Sequence, residues 1–297
     1  MRLLILGDLT ITSNQEKKLK ELVDDIVYCR NKVEGVTGII ESADYIFCCN
    51  FNLTPYIDFL KNSKIVIMAE TGIVNIDINK SRKNNINICN LETYSCDAVT
   101  QYIIYNILKE IRPWNEYYSN TFSRKNIFKY QSKGIEGLTV GILGYGVIGK
   151  KLAKILNAYG CNVLANSRKK FKSNYANYSS KNDIFKYSDV IVICCSLNES
   201  SKNMIDINLL NKIKKDSILI SISIREVFNN KDLYLFLKQR EDVKSYLDFD
   251  VNKNDEKFDD LINVNITPHI AFHTQETIIN RTNSCIEKLE KFILKNK

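Results

Sequence analysis

Short apolar runs alternate along the whole chain with longer amphipathic or polar stretches. This rhythm is typical of strands that alternate with helices, and it predicts an α/β fold with parallel sheets. The Val and Ile content of the runs suits strands that are buried on both faces. The runs that we predict to form strands are RLLILG, DYIFCC, IVIMAE, INICN, LTVGILG, CNVLANS, VIVICCS, SILISIS, VKSYLDF and NVNIT.

A polar interruption separates these strands into two groups. Residues 98–108 have a helical pattern, and residues 112–133 are mostly polar. We therefore place a domain boundary near Cys96. The last stretch, residues 274–297, has the pattern of an amphipathic helix, which must pack against one of the two domains.

Composition narrows the class of protein. No apolar run reaches the roughly 18 residues of a membrane helix, and the start MRLLILGDLTIT lacks the features of a signal peptide. We expect a cytoplasmic protein with no membrane partner. The nine cysteines include no C-x-x-C pair, so neither a disulfide framework nor a metal site is indicated. The net charge of +8 is spread over turns without an arginine-rich stripe, and we expect no nucleic acid partner.

The stretch LTVGILGYGVIGKKLAKIL is the most informative motif, because an apolar strand leads into a G-x-G-x-x-G sequence and then into a helical pattern. Gly144 permits the tight turn, Gly146 lets the backbone approach a pyrophosphate, and Gly149 lets the helix pack closely. The helix start at Val147 and Ile148 offers N–H groups to the anion. The alternative is a tight turn that binds no ligand.

The strand CNVLANS ends where an NAD-binding protein places an acidic residue on the ribose. This chain has Ser167, Arg168, Lys169 and Lys170 there instead. A hydroxyl followed by cations can pair with a 2′-phosphate, so the sequence favours NADP, with NAD as the second possibility. The alternative is a solvated turn.

Four further segments resemble one enzyme family. TGIVNIDINKSRKNNINICN, YSCDAVTQY, SLNESSKNMIDINLLNKIKKDSILISIS and ITPHIAFHTQET, together with the glycine motif, are similar in order and content to the D-isomer-specific 2-hydroxyacid dehydrogenases. The resemblance covers most of the chain. It implies two Rossmann-like, doubly wound parallel-sheet domains, of the kind found in formate and glycerate dehydrogenases.

The resemblance also implies how the domains divide the work. Residues 1–97 with 270–297 correspond to the family's substrate domain, and residues 98–269 to its dinucleotide-binding domain. The backbone around Gly72 and Ile73 corresponds to the part that holds the substrate carboxylate, with an ordinary turn as the alternative. A homodimer is what the family implies.

His269 is the candidate general acid. The chain has two histidines, and His269 lies in the Thr-Pro-His-Ile segment that matches the family's histidine signature. Reduction of a 2-oxo acid needs a proton donor to the carbonyl oxygen, a role that histidine suits. The alternative is a structural histidine. We expect His273 at the rim of the site or at a helix cap.

The catalytic cation departs from the family pattern. The family places its arginine just after the strand SILISIS and follows it with glycine, whereas a gap-free match puts Ile224 and Arg225 at these two positions. A shift of one residue changes the side of a strand on which a side chain lies, although a loop can redirect it. We predict Arg225 as the cation, with a surface or interface arginine as the alternative.

The acid that orients the histidine is displaced as well. In the family it lies five residues beyond an LDV aspartate, and counting from Asp250 reaches Asp255, which we select, with Glu256 close behind. A solvated acidic loop is the alternative. The LDV aspartate itself commonly contacts the nicotinamide carboxamide, which makes Asp248 the first candidate for that contact and Asp250 the second.

These features together predict an NADP-preferring oxidoreductase that transfers a hydride between nicotinamide and a small 2-oxo or 2-hydroxy acid. Because the arginine and the acid both depart from the family pattern, a second class stays open. It is a nucleotide-binding protein with little turnover that acts as a redox sensor or corepressor.

Overall fold

The computed structural model describes residues 1–30, 35–73, 75–112, 132–249 and 258–296. The chain forms two compact units, Met1–Ser95 with His273–Lys297 and Cys96–Phe272. Each unit contains a parallel sheet accompanied by helices, which confirms the predicted α/β fold class. Residues 270–272, which we predicted as part of the C-terminal tail, belong to the second unit.

The first unit contains a five-stranded sheet in the order β2-β1-β3-β4-β5. All neighbouring strands pair in parallel. The strand order reverses at β1, which lies between β2 and β3. The strands are β1 (Arg2–Gly7), β2 (Asp25–Cys29), β3 (Tyr45–Cys49), β4 (Ile65–Met68) and β5 (Ile88–Asn90).

The second unit contains a seven-stranded sheet in the order β12-β11-β10-β9-β6-β7-β8. Its strands are also parallel throughout. The order reverses at β6, which lies between β7 and β9 and marks the switch point where doubly wound sheets bind ligands. The strands are β6 (Thr139–Leu143), β7 (Asn162–Asn166), β8 (Asn177–Tyr178), β9 (Val190–Ile193), β10 (Ile218–Ser221), β11 (Lys244–Asp248) and β12 (Val264–Thr267).

Every run that we predicted as a strand forms one, but β2 and β8 are absent from the prediction. Both are edge strands with exposed residues: β2 carries exposed Asp25 and Tyr28, and β8 has two exposed residues. An edge strand needs no continuous apolar run, because one side of it faces solvent. The apolar pattern identifies the interior strands and the edge strands β5 and β12, and it misses these two.

The helices connect the strands. The predicted helix at residues 98–108 corresponds to α4, and the predicted C-terminal helix corresponds to α9, which begins after its N-cap Thr274. Most of the polar segment 112–133 lies outside the described residues. The helices are α1 (Ser13–Leu22), α2 (Val36–Glu41), α3 (Ile78–Lys83), α4 (Cys96–Ile111), α5 (Val147–Ala158), α6 (Lys181–Tyr187), α7 (Ile207–Leu210), α8 (Asn230–Gln239) and α9 (Gln275–Lys295), with 3₁₀ turns at Thr54–Phe59, Arg225–Val227 and Phe258–Asp260.

Both sheets are buried on their two faces. In β6, Val140 and Ile142 join one apolar cluster, whereas Leu143 joins the cluster on the opposite face. The C-terminal helix α9 covers one face of the first sheet, where Cys285 and Leu289 pack in one cluster with residues of β1. Buried strands of this kind give rigid strand ends, and it is at those ends that the candidate site lies.

Candidate active site

The turn after β6 can be formed only by glycine. Gly144 has φ of 113°, and an added Cβ would lie 2.6 Å from the backbone nitrogen of Cys195 and 2.7 Å from the carbonyl oxygen of Cys194. The Cys194 thiol donates to the Gly144 carbonyl oxygen at 3.1 Å. Burial raises the pKa of this thiol, so it stays protonated and available as a donor. The turn is thus fixed against the neighbouring strand β9.

Helix α5 begins directly after this turn with its N-terminus open. Its N-cap is Gly146, which makes no side-chain cap hydrogen bond, and in the described part of the chain only its two sequence neighbours approach within 4 Å of a Cβ placed there. Val147 is exposed and Ile148 is half-buried. The first N–H groups of a helix have no partner inside the helix, and here no capping side chain competes for them. The geometry fits an anion such as a pyrophosphate.

Gly149 brings the helix close to the turn. A Cβ at this position would lie 2.2 Å from the carbonyl oxygen of Gly144, so any side chain would push the first turn of α5 away. The three glycines of the motif therefore have three distinct physical roles: a left-handed turn, open space at the helix start and close packing. This is the cradle that a dinucleotide needs.

Residues 167–170, which we call the cationic loop, lie beside this cradle at the same edge of the sheet. Leu143 at the end of β6 pairs with Asn166 at the end of β7, and the Gly144 N–H donates to the Asn166 carbonyl at 3.1 Å. Ser167 follows directly, and its hydroxyl donates to the Lys169 carbonyl at 2.5 Å. Arg168 and Lys169 are exposed, so both charges are accessible to a ligand.

Arg225 is buried rather than exposed. It opens the short 3₁₀ turn after β10 and is 7% exposed. Its guanidinium carbon lies 5.8 Å from the centroid of the Phe258 ring. The surface alternative is therefore excluded. The predicted contact with a substrate carboxylate stays a prediction.

Asp248 holds the segment that carries His269. It ends β11, is 2% exposed, and accepts hydrogen bonds from the backbone N–H groups of Ile270 and Ala271, each at 2.8 Å. The Thr267 hydroxyl donates to the same carboxylate at 2.6 Å. Asp248 thus binds the chain on both sides of His269. The contact with nicotinamide that we predicted for Asp248 stays a prediction.

Tyr102 of α4 completes this network. Its hydroxyl lies 2.8 Å from the Thr267 hydroxyl oxygen. Since the single proton of Thr267 goes to Asp248, Tyr102 must be the donor in this contact. Burial raises the pKa of Tyr102, which keeps the phenol protonated. Tyr102 could not be predicted from the sequence, because 165 residues separate it from Thr267 and no local motif links them.

His269 occupies a tight turn at the end of β12. Its φ is 51°, uncommon for a residue other than glycine, and its N–H donates to the Thr267 carbonyl at 2.8 Å. The imidazole is exposed, with its ring 5.7 Å from that of Phe272. The turn, whose backbone Asp248 holds on both sides, therefore carries an exposed imidazole at the end of β12. Such backbone strain is often kept where function needs it.

Gly72 and Ile73 lie in the first unit, shortly after β4, and both are half-buried. Glu70, which the sequence analysis did not select, orders the start of this loop. Its carboxylate accepts from the Asn50 N–H at 2.5 Å and from the Asn75 side-chain amide at 2.9 Å. The loop that carries the predicted carboxylate site is therefore anchored at the end of the sheet.

Asp255, its alternative Glu256, and Asp250 lie outside the described residues. His273 does not cap α9, since Thr274 occupies that position. Among the described residues, no cluster of His, Cys, Asp or Glu could hold a metal ion, and no helix is long and apolar enough to cross a membrane.

A doubly wound sheet with a glycine turn and an open helix at its switch point defines a nucleotide-binding α/β protein. Residues 102–271 match the family model described as the NAD binding domain of D-isomer specific 2-hydroxyacid dehydrogenases. This match covers more than half of the chain, which therefore belongs to that family.

Individual relatives agree. A putative 2-hydroxyacid dehydrogenase of Staphylococcus epidermidis is 30% identical, with 74% of this chain and 73% of the relative covered. A glyoxylate/hydroxypyruvate reductase of Arabidopsis thaliana is 27% identical, with 78% and 74% covered. The solved structure of an acyclic imino acid reductase in complex with NADPH and D-Arg is similar in fold, with a TM-score of 0.89, 22% identity, and 99% of this chain and 98% of that chain covered.

The family membership confirms the prediction of an NAD(P)-dependent oxidoreductase of the 2-hydroxyacid class. The match to the family's NAD binding domain also confirms the prediction of a nicotinamide cofactor. The alternative of a redox sensor or corepressor with little turnover is not favoured.

Proposed function

We propose that this protein is an NADP-preferring oxidoreductase that interconverts a small 2-oxo acid and the corresponding 2-hydroxy acid. The observation that carries the proposal is the position of the strained His269 turn at the carboxyl edge of the sheet that also carries the glycine cradle. Hydride transfer coupled to proton transfer requires a dinucleotide site and an accessible proton donor, and this sheet edge carries the glycine cradle and an exposed imidazole on a fixed backbone.

Each residue has a role in this proposal. The reduced nicotinamide, when bound, supplies the hydride. His269 donates a proton to the carbonyl oxygen, and Asp255 orients its imidazole. Arg225 is the cation that binds the substrate carboxylate. In the first unit, the backbone around Gly72 and Ile73 corresponds to the part of the family's substrate domain that holds this carboxylate. Asp248 is a positioning residue, because its carboxylate fixes the backbone on both sides of His269.

The two units share the work in the same way as the family's domains. The first unit, Met1–Ser95 with His273–Lys297, is the substrate domain, and the second unit, Cys96–Phe272, is the dinucleotide-binding domain. We also propose a cytoplasmic homodimer. The small acids named for relatives, glyoxylate and hydroxypyruvate, are the first substrates to test.

The first experiment follows NADPH oxidation over a panel of 2-oxo acids and compares His269→Gln with wild type. General acid catalysis contributes about 10² to 10⁴-fold, so His269→Gln should lose at least a hundredfold in kcat while binding NADPH as wild type does. His273→Gln is the matched control and should keep its activity. An unchanged rate in His269→Gln on an acid that the wild type reduces would remove His269 from the mechanism.

A second experiment tests the cofactor preference. NADPH should bind more tightly than NADH in titrations at equal ionic strength, because Arg168 and Lys169 are exposed beside the cradle. Arg168→Ala should weaken NADPH roughly tenfold and leave NADH nearly unchanged, whereas the exposed Lys172, changed to Ala, should alter neither much. Tighter binding of NADH by the wild type would overturn the preference.

A third experiment tests Arg225. Arg225→Lys keeps the charge but loses the planar pair of donors, so we expect KM for the 2-oxo acid to rise about tenfold or more while the affinity for NADPH stays the same. Thermal unfolding of the variant separates this effect from a loss of folding, since the side chain is buried. An unchanged KM would mean that another group binds the carboxylate.

A further inference from the structure

An aromatic side chain in the middle of the glycine motif contacts the segment that directly follows the cationic loop 167–170. Tyr145 lies between Gly144 and Gly146 and is 8% exposed. Its ring stacks on that of Phe171, with the centroids 4.0 Å apart and the planes at 15°. Its hydroxyl lies 2.7 Å from the Ser173 hydroxyl oxygen. The glycine turn after β6, which we call the phosphate turn, is therefore joined directly to the segment that follows Lys170.

A second contact fixes the far side of Phe171. Its ring meets that of Tyr178 edge to face, with the centroids 5.6 Å apart and the planes at 78°. Tyr178 belongs to β8, and its ring lies 6.0 Å from the ammonium group of Lys170. Phe171 is thus held between a residue of the phosphate turn and a residue of the edge strand.

These contacts define the two ends of the cationic loop. One end is Asn166, whose carbonyl accepts the Gly144 N–H and whose amide donates to the Ser179 carbonyl at 2.7 Å. The other end is Phe171. Arg168 and Lys169 lie between these ends and are exposed. An ion pair with a long cationic side chain contributes little binding energy when the backbone is mobile, because ordering the side chain and its backbone costs entropy. A fixed backbone lowers this cost.

We propose that Tyr145 and Phe171 are specificity-determining positioning residues. By bracing the 167–170 loop against the phosphate turn, they hold the backbone of Arg168 and Lys169 where these side chains can pair with a 2′-phosphate. This inference rests on the NADP preference of the proposed function. It adds that the preference depends on an aromatic stack that does not itself touch the phosphate.

The experiment uses two small probes that differ only in the 2′-phosphate: adenosine 2′,5′-bisphosphate and adenosine 5′-monophosphate. Their affinities for the full chain are measured by titration calorimetry in wild type, Phe171→Leu, Tyr145→Leu and Tyr145→Phe. Neither probe carries nicotinamide, so the result does not depend on turnover.

We expect both leucine variants to bind the bisphosphate about tenfold more weakly and the monophosphate within about twofold of wild type. Tyr145→Phe keeps the stack and should stay within about threefold on both probes. Phe171→Leu is the safer variant, since Phe171 is only half-buried. If Tyr145→Leu fails to fold, Phe171→Leu decides the question alone.

A double-mutant cycle with Arg168→Ala separates bracing from a general structural effect. Phe171→Leu should cost about tenfold for the bisphosphate in the wild-type background but under about threefold once Arg168 is absent. Equal losses on both probes, equal losses in both backgrounds, or no loss at all would each overturn the bracing role. A wild type that does not prefer the bisphosphate would instead overturn the NADP preference, and the bracing role with it.

Discussion

In both parallel sheets, the strand at the switch point ends at a glycine with positive φ. Gly7 closes β1 with φ of 79°, and a Cβ there would lie 1.8 Å from the Cys49 carbonyl oxygen. Gly144 follows β6 with φ of 113°, and a Cβ there would lie 2.6 Å from the Cys195 backbone nitrogen and 2.7 Å from the Cys194 carbonyl oxygen. In both units a glycine lets the strand at the switch point turn against the end of its neighbour.

The helices that follow differ. In the first unit, Thr12 and Gln15 form a capping box: the Gln15 side chain accepts from the Thr12 N–H at 2.9 Å, and the Gln15 N–H donates to the Thr12 hydroxyl at 3.3 Å. In the second unit, Gly146 caps α5 without a side chain. One helix start is closed by its own residues and the other is left open. The fold alone therefore does not create an anion site.

Each sheet also has a carboxylate at its carboxyl edge that orders a loop. Glu70 receives donors from Asn50 and Asn75, and Asp248 receives donors on both sides of His269. Only the second of these anchored segments carries an exposed imidazole. The difference between the units again lies in what the fixed loop presents, rather than in how it is fixed.

Gly7→Ala should have the largest effect on stability. The left-handed conformation costs an alanine about 1 to 2 kcal/mol, and the overlap with the Cys49 carbonyl adds a similar amount. We expect the free energy of unfolding, measured with urea, to fall by about 3 kcal/mol. The affinity of the folded protein for NADPH should stay within about twofold of wild type. Gly38→Ala is the matched control: Gly38 lies within α2 with no atom near its Cβ, so stability should not fall. A large loss of NADPH affinity in Gly7→Ala would contradict the conclusion that only the turn at Gly144 serves the cofactor.

The interior of both sheets could be predicted from the sequence, because strands buried on two faces must be apolar along their whole length. Of the four edge strands of the described sheets, β5 and β12 were also predicted, whereas β2 and β8, which carry exposed residues and pair with one neighbour, were not. Helices α4 and α9 were predictable from their amphipathic patterns, whereas α7, with four residues, is too short for such a pattern to show.

Asp248→Asn should have the next largest effect, and it falls on turnover. The amide has nearly the shape of the carboxylate, but it offers one acceptor oxygen to donors on both sides of His269 and weakens charge-assisted bonds worth about 1.5 to 3 kcal/mol. We expect kcat to fall about ten to a hundredfold, with NADPH affinity within about threefold. Tyr102→Phe, which removes only the outer donor, should lose less. A fall in NADPH affinity with an unchanged kcat would instead support the nicotinamide contact predicted for Asp248.

The candidate site was predictable only where chemistry is written into a local motif. The glycine motif and the Thr-Pro-His segment are local. Asp248 accepts from two backbone N–H groups and from the Thr267 hydroxyl, which is in turn hydrogen-bonded to Tyr102 of a distant helix, and no residue type in the sequence indicates such contacts. The same holds for the stacking of Tyr145 on Phe171, because an aromatic residue within a glycine motif gives no sign of its partner.

Gly146→Ala tests the open helix directly. Apart from its two chain neighbours, no described residue lies within 4 Å of the added Cβ, so stability should stay within about 0.5 kcal/mol, while the methyl group stands where an anion approaches the backbone. We expect NADPH affinity to fall about tenfold, equivalent to about 1.4 kcal/mol. The counterpart in the closed helix is Thr12→Ala, which should cost about 1 kcal/mol of stability and no affinity. Unchanged NADPH binding in Gly146→Ala would show that the open helix start is not the anion site.

The smallest effect concerns acid stability, where each unit again offers a counterpart. Arg240 donates to Asp242 through two nitrogens, at 2.8 and 2.7 Å, and this pairing lowers the pKa of Asp242 to about 2. Since the folded pKa lies below the unfolded value of about 3.9, the stabilisation is complete above about pH 4 and is lost as the pH falls towards 2. The side chain is 23% exposed, so solvent screening leaves about 1 kcal/mol.

Asp242→Asn should therefore be less stable than wild type by about 1 kcal/mol at pH 7, and about half of that difference should disappear by pH 3, as measured by urea unfolding at each pH. In the first unit, the Arg2 N–H holds the pKa of Asp44 below its usual value, so Asp44→Asn should show the same sign. A difference between Asp242→Asn and wild type that stays constant from pH 7 to 3 would mean that the ion pair is not its source, and that the amide disturbs the turn before β11 through its shape alone.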